Sequence, residues 1–271
     1  NRGVGLGDLL GNRFSITIRN LSCPEPAAQF AAITRHIESY GGIPNYFGVQ
    51  RFGEVRPVTH RVGEALVRGQ YEEAVFIYLA QPFLGELPET IIARQALWTS
   101  RNIPEALKQF PERLGFETAM LNYLTEHPGD YAHSFMVLSP NLRRLFVHAY
   151  QSYLFNKILS RRLAAGMPLN RAEIGDVVCF ASNGLPDMDR QQKANPENLS
   201  AINRLIERRR SFLTLPLIGF DTELGGGREG EIERFVLAEE AVSEEDFRVA
   251  GCQDLGSKGT RRAALCPVLP E

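Results

Sequence analysis

The sequence has no C-x-x-C pair, no H-x-x-x-H pair and no apolar run approaching the roughly 18 residues that a membrane-spanning helix needs. Its four cysteines, Cys23, Cys179, Cys252 and Cys266, stand far apart and in no zinc-ligand spacing. They read as reduced thiols of a cytoplasmic protein. No G-K-[ST] follows Gly225-Gly226-Gly227, so a P-loop is excluded and the triplet reads as a flexible turn. No G-x-S-x-G elbow marks a hydrolase. "GVGLG" near the start precedes a strand pattern rather than a helix, which leaves a turn in place of a dinucleotide fingerprint. The chain opens on no basic segment followed by an apolar one, so it shows no secretion signal. Metal and nucleotide-phosphate chemistry lack their motifs, and a Ser-His-Asp hydrolase, possible in principle, lacks its elbow.

What is present is an ordinary globular composition with an uneven charge distribution. The 271 residues are 44% hydrophobic and 23% charged, with a net charge of −2, enough for one large domain or two ordinary ones. Residues 131–172 contain no acid but include Arg143, Arg144, Lys157, Arg161, Arg162 and Arg171. Residues 221–246 hold ten acids against Arg228 and Arg234. A basic face with an acidic region elsewhere suits an RNA-handling enzyme. It equally suits a helix with one solvated face.

The periodicities predict an α+β fold. In "GNRFSITIRN", Phe14, Ile16 and Ile18 alternate with polar residues, which predicts a strand. A helix is expected over residues 26–40, with Phe30, Ile33, Ile37 and Tyr40 as its stripe and Gly41-Gly42 as its stop. Two short helices follow, ending at Gly69 and before Pro82, and the chain reads mostly helical to Gly166. The longest helix starts at "SPNLRRLF", with Ser139 as N-cap and Pro140 in the first position. "GDVVCFAS" and "SFLTLPLIGF" read as strands around a basic helix, "PENLSAINRLIERRR". The stretch 230–251 looks helical or mixed, and residues 264–269 look strand-like.

One segment fits no regular pattern. "PNYFGVQRFG", residues 44–53, crowds three aromatics, two glycines, Asn45, Gln50 and Arg51 into a loop or irregular strand. Glycines allow close backbone approach, aromatic and guanidinium planes stack on bases, and amides read polar edges. The same composition also serves a structural loop. If the segment is extended, Asn45 and Phe47 share one face and Tyr46 takes the other.

"PNYFGVQRFG" closely resembles the N-Y-F-G-x-Q-R-F-G motif of the TruD family of tRNA pseudouridine synthases. "LGDLLGNRFSITIRN", "RPVTHRVG", "FVHAYQSYLFNKILSRR", "GDVV" and "SKGTRRA" are similar to further family segments in the same order, as in archaeal members. The resemblance implies part of the pseudouridine-synthase antiparallel sheet with helices, over residues 1–70. An inserted mixed α/β TRUD domain would follow over 71–245, with a return to the catalytic domain over 246–271. It implies isomerisation of a tRNA uridine, at position 13, without cofactor or metal, and tRNA as the partner. Phe47 would stack on the target base and Asn45 would orient substrate or neighbouring groups. Gly48, Gln50, Arg51 and Gly53 would shape the pocket. Arg143, Arg144, Lys157 and Arg161 are the expected contacts to the RNA backbone.

One departure is serious. The family's catalytic aspartate lies in a G-x-K-D motif, and the sequence has none. Asp8 matches a different, non-nucleophilic position and reads as a cap or turn residue. The nucleophile is therefore expected upstream of Asn1, and the chain is expected to be a central segment, inactive alone. A non-catalytic RNA-binding relative of the same fold is the alternative. A structural protein that uses the acidic 221–246 region is a third reading.

Overall fold

Proline openings and glycine closures punctuate the chain. A computed structural model of the chain describes residues 15–266. Helix α1 spans Pro26–Tyr40, with proline in its first turn and Gly41 ending it in the left-handed region at φ 78°. The short strand β1, Ile43–Pro44, follows, and then a 3-10 turn, Val49–Arg51. Helices α2 (Thr59–Val67) and α3 (Tyr71–Ala80) close at the expected places. Next come α4 (Pro88–Ser100), α5 (Ile103–Gln109), α6 (Gly115–Glu126) and the single turn α7 (Tyr131–Ser134). The 25-residue α8 is Pro140–Ala164, with the Ser139 hydroxyl accepting from the Leu142 amide as its cap. Strands β2 (Val177–Ser182) and β3 (Leu185–Lys193) precede α9 (Leu199–Glu207) and β4 (Ser211–Leu217). Helix α10 (Gly227–Glu239) and strands β5 (Thr260–Ala263) and β6 (Leu265–Cys266) complete the described residues.

The strands form two antiparallel sheets, one ordered β3-β2-β4-β5 and one pairing β1 with β6. A single residue, Ala264, separates β5 from β6, so one extended segment belongs to both sheets. Helix α8 runs through the core: Phe146, Val147, Tyr150, Leu154, Phe155 and Ile158 are all buried. Helix α2 lies against it so closely that a Cβ on Gly63 would overlap the Phe146 carbonyl. Gly63→Ala is therefore expected to cost about 1–3 kcal/mol by overpacking, read as a lower midpoint in denaturant unfolding. An unchanged midpoint would show that the two helices separate freely.

Some expectations change. Residues 15–19 form no strand, and Ile16 and Ile18 are 81% and 69% exposed. Alternation predicts a strand only where a partner covers the apolar side, and none does among the described residues; Arg13 and Phe14 lie outside them. The same holds for α1: its boundaries are as predicted, yet it has no buried residue. The Gly225–Gly227 triplet is packed rather than flexible. The Gly226 amide donates to the Gly175 carbonyl at 2.8 Å, and a Cβ on Gly175 would strike the Gly226 backbone. Strand β3 was not expected, because it is polar and largely exposed. Its signal is the Asn183-Gly184 turn, both residues at positive φ, which closes the β2–β3 hairpin.

The uneven charge is largely settled inside the molecule. Lys157 ion-pairs with Glu239 and Glu240, and Arg161 with Glu239, so the acids of α10 neutralise bases of α8. Deeper, Arg162, Asp176, Glu229, Glu233 and Arg261 form a buried cluster. Arg162 bonds both Asp176 oxygens and pairs with Glu229, while Arg261 reaches Glu233 at 3.2 Å.

Candidate nucleotide-binding site

Residues 44–53 are laid along α8 by a ladder of polar side chains. His148, Ser152, Asn156 and Ser160 recur every fourth residue and so share one side of that helix. The Tyr46 hydroxyl lies 3.0 Å from the Ser160 hydroxyl. The Asn156 side chain accepts from the Phe47 amide at 2.9 Å and donates to the Phe47 carbonyl at 3.0 Å, satisfying both backbone groups of that residue. Arg51 donates to the Ser152 hydroxyl at 2.9 Å and to the His148 carbonyl at 3.3 Å. The loop and the helix therefore run in opposite directions.

On its other side the segment joins β5 and β6. The Asn45 amide donates to the Ala264 carbonyl at 2.9 Å. Its side chain donates to the Ala263 carbonyl at 2.8 Å and accepts from Arg262 at 2.6 Å. The carboxamide is thus held in one orientation. The Arg262 guanidinium also lies 4.2 Å from the centre of the Phe47 ring, which meets Phe155 edge-on at 5.5 Å. Arg51 stands 5.5 Å from the same ring. Asn45 and Phe47 both face Arg262 while Tyr46 faces Ser160, the alternation expected of extended chain.

The electrostatics are one-sided. Neither Arg51 nor Arg262 pairs with an acid among the described residues. Burial, and then Arg262, lower the pKa of Arg51; burial lowers that of Arg262. His148 is lowered by burial, then by Arg51 and Arg144. The buried Nε of Arg262 has no hydrogen-bond partner. Two guanidiniums beside one aromatic ring make a place for an anion.

The remaining predicted residues divide. Gly48 has extended backbone and open space where a Cβ would stand, so the surface above it is free. Gln50 is exposed. Gly53 is required by its own turn: φ is +105° and a Cβ would overlap the Arg56 carbonyl. The four basic residues of α8 do not gather. Arg143 and Arg144 lie about 20–27 Å along the helix from Lys157 and Arg161 at ~1.5 Å per residue. Arg143 pairs with Asp254, and only Arg144 of the four has no acid partner among the described residues. The sequence reading missed Arg262, Ser152 and Asn156. The four-residue spacing from His148 to Ser160 was their signal.

Comparison with known proteins gives the family. Residues 1–270 match the family model described as tRNA pseudouridine synthase D (TruD). The chain is 50% identical over 273 residues to a "Probable tRNA pseudouridine synthase D" of Methanosarcina mazei, covering 100% of this chain and 62% of the relative. A protein of the same description from Halobacterium salinarum is 41% identical, covering 97% of this chain and 62% of the relative. A crystal structure of a TruD candidate from Methanosarcina mazei superposes with a TM-score of 0.85 at 50% identity, covering 88% of this chain and 55% of that one. The chain thus spans less than two thirds of the length of these relatives. With its α+β architecture of helices and antiparallel sheets matched in that structure, and residues 1–270 matched by the family model, the chain belongs to the TruD family of tRNA pseudouridine synthases.

Proposed function

We propose that the chain forms part of an enzyme that converts a uridine of tRNA, at position 13, to pseudouridine, and that residues 45–51 with Arg262 form the wall holding the target nucleotide. The observation that carries this reading is the Asn45–Arg262–Phe47 arrangement inside a family match. The Phe47 ring is the stacking surface for the base. Asn45, fixed by the Ala263 carbonyl and Arg262, presents a single hydrogen-bonding edge. Gly48 leaves room for the sugar, and Gln50 lies at the rim. The reaction breaks the bond from the sugar to the base nitrogen and remakes it to a base carbon, so it is an isomerisation in which no atom is gained or lost. The base must turn between the two steps, and a flat aromatic wall permits that rotation where directional bonds would resist it. The unneutralised pair Arg51 and Arg262 suits an anion brought by the substrate phosphate, or the family's aspartate, which is not in this sequence.

The same reading divides the chain into a catalytic part and an inserted TRUD part. The return to the catalytic part falls within residues 246–271, and the change of partner from β4 at β5 to β1 at β6 supports a return in that stretch.

The test is pseudouridine formation on an unmodified tRNA transcript by the protein of full family length. Arg262→Ala is expected to lower kcat about 10- to 100-fold, the worth of one charge-assisted hydrogen bond of about 1.5–3 kcal/mol. Arg262→Lys should recover only part, because a point charge cannot both stack and bond. Binding of tRNA without any pseudouridine would favour a non-catalytic RNA-binding relative instead.

A further inference from the structure

A second basic surface lies apart from α8, at the C-terminal end of α9. Arg204, Arg208, Arg209 and Arg210 are all exposed, and none ion-pairs with a described residue. Arg204 bonds only the neutral Ser200 hydroxyl, at 2.9 Å. Arg204 and Arg208 are four residues apart and so lie on one side of the helix. Arg171 joins them from another part of the chain. The Asn203 side chain accepts from the Ala172 amide at 2.8 Å and donates to its carbonyl at 3.1 Å, which pins the exposed Arg171 beside α9. Glu207 and Glu38 line a cavity of about 240 Å³ together with Arg209.

That cavity reaches the strand pair beside the candidate site. Leu265 and Gly41 also line it, and Leu265 pairs with Pro44, the residue before Asn45. An extended polyanion lying over the arginines would reach the strand pair that carries Asn45. Helix polarity explains a cation at the end of α9, but not the arginine held there by Asn203 from outside the helix.

We propose that Arg171, Arg204, Arg208, Arg209 and Arg210 form the surface that grips the phosphate backbone of the tRNA, in place of the paired basic residues of α8. This rests on the reading of the protein as a tRNA pseudouridine synthase. Phosphate contacts of this kind hold the RNA in register without reading its sequence. They also add a salt-dependent share of affinity, each contact contributing about 0.7–0.9 to the slope of log K against log salt.

The experiment is filter binding of an unmodified tRNA transcript to the protein of full family length across a salt series, with pseudouridine formation measured in parallel. The triple variant Arg204→Ala, Arg208→Ala, Arg210→Ala leaves the left-handed Arg209 in place. Its salt slope is expected to fall by about 2, with affinity at low salt down at least tenfold. KM should rise while kcat at saturating tRNA holds. The matching triple lysine variant should keep most of the slope, which a purely structural role at the helix end would not require. An alanine variant whose slope and affinity equal the parent's would overturn the assignment alone. A parent with no tRNA affinity at low salt would overturn the functional reading and this assignment with it.

Discussion

Phe47→Ala is expected to lower kcat/KM for pseudouridine formation about 100-fold in the protein of full family length, while leaving it folded. Two losses combine. Stacking of a base on an aromatic ring is worth about 1–3 kcal/mol. The ring is also the platform over which Arg262 lies while it holds Asn45, so its removal frees the carboxamide to turn. The cost to folding is smaller. Phe47 is half-buried and its main aromatic contact is one edge-on meeting with Phe155, worth about 0.5–1.5 kcal/mol beyond area burial. Its backbone is held by the Asn156 side chain, which the substitution leaves alone. Phe47→Tyr should stay within a few-fold of the parent, because the flat face remains. Thermal unfolding beside the rate measurement separates the two effects. A Phe47→Ala protein of full activity would end the stacking assignment, and one that loses activity only in proportion to its unfolded fraction would make the ring structural.

The second large effect concerns stability. Arg162→Met should destabilise the fold by about 3–5 kcal/mol, because it strands the buried Asp176 and Glu229 without their cation. The cluster is already short of positive charge, with Asp176, Glu229 and Glu233 facing Arg162 and Arg261. The shortage is shared by the two buried glutamates: burial raises Glu233, against the attraction of Arg261, and pushes the Glu229 carboxyl up to about 7, against the attraction of Arg162 and with the repulsion of Glu233 added. Its Oε1 has no hydrogen-bond partner, which fits a carboxyl that keeps a proton. The sign follows from linkage. Between the unfolded value near 4.5 and the folded value near 7, the folded state holds the extra proton. Stability from this group therefore falls as pH rises through that window and levels off above it. Glu229→Gln should reduce the slope, leaving the share due to Glu233, and leave the protein more stable than the parent at pH 8, by on the order of 2–3 kcal/mol. Denaturant midpoints at pH 5 and 8 for both proteins decide it: equal slopes would place the proton elsewhere.

The parts of this structure legible in the sequence are those whose signals are local. Helix α1 carries its proline opening and glycine closure, and α8 carries Ser139 and Pro140, so both boundaries could be read directly. Strands β2 and β4 are apolar runs buried on assembly. Strand β3 could not be read from its hydrophobicity because it has almost none; only Asn183-Gly184 betrays it. The α1 stripe of Phe30, Ile33 and Tyr40 was read correctly as a pattern, yet a pattern does not say whether anything covers it. In the site, Asn45, Phe47 and Arg51 were visible as an odd composition. Arg262 was not, because it lies 217 residues from Asn45 and only the β1–β6 pairing brings them together. Lys157 and Arg161 looked free because their acid partners, Glu239 and Glu240 at the end of α10, are some eighty residues away.

The extended segment 260–266 has a mechanical consequence. Arg261 is anchored in the buried charge cluster and Arg262 holds Asn45, so adjacent residues tie the four-stranded sheet to the segment that carries Asn45 and Phe47. On the proposed function, RNA pulling on α9, which packs against β4, would load β5 through its ladder bonds with β4. That load would pass along the same extended segment toward Asn45. The surface proposed to grip the RNA backbone and the amide proposed to face the base are thus coupled through one strand.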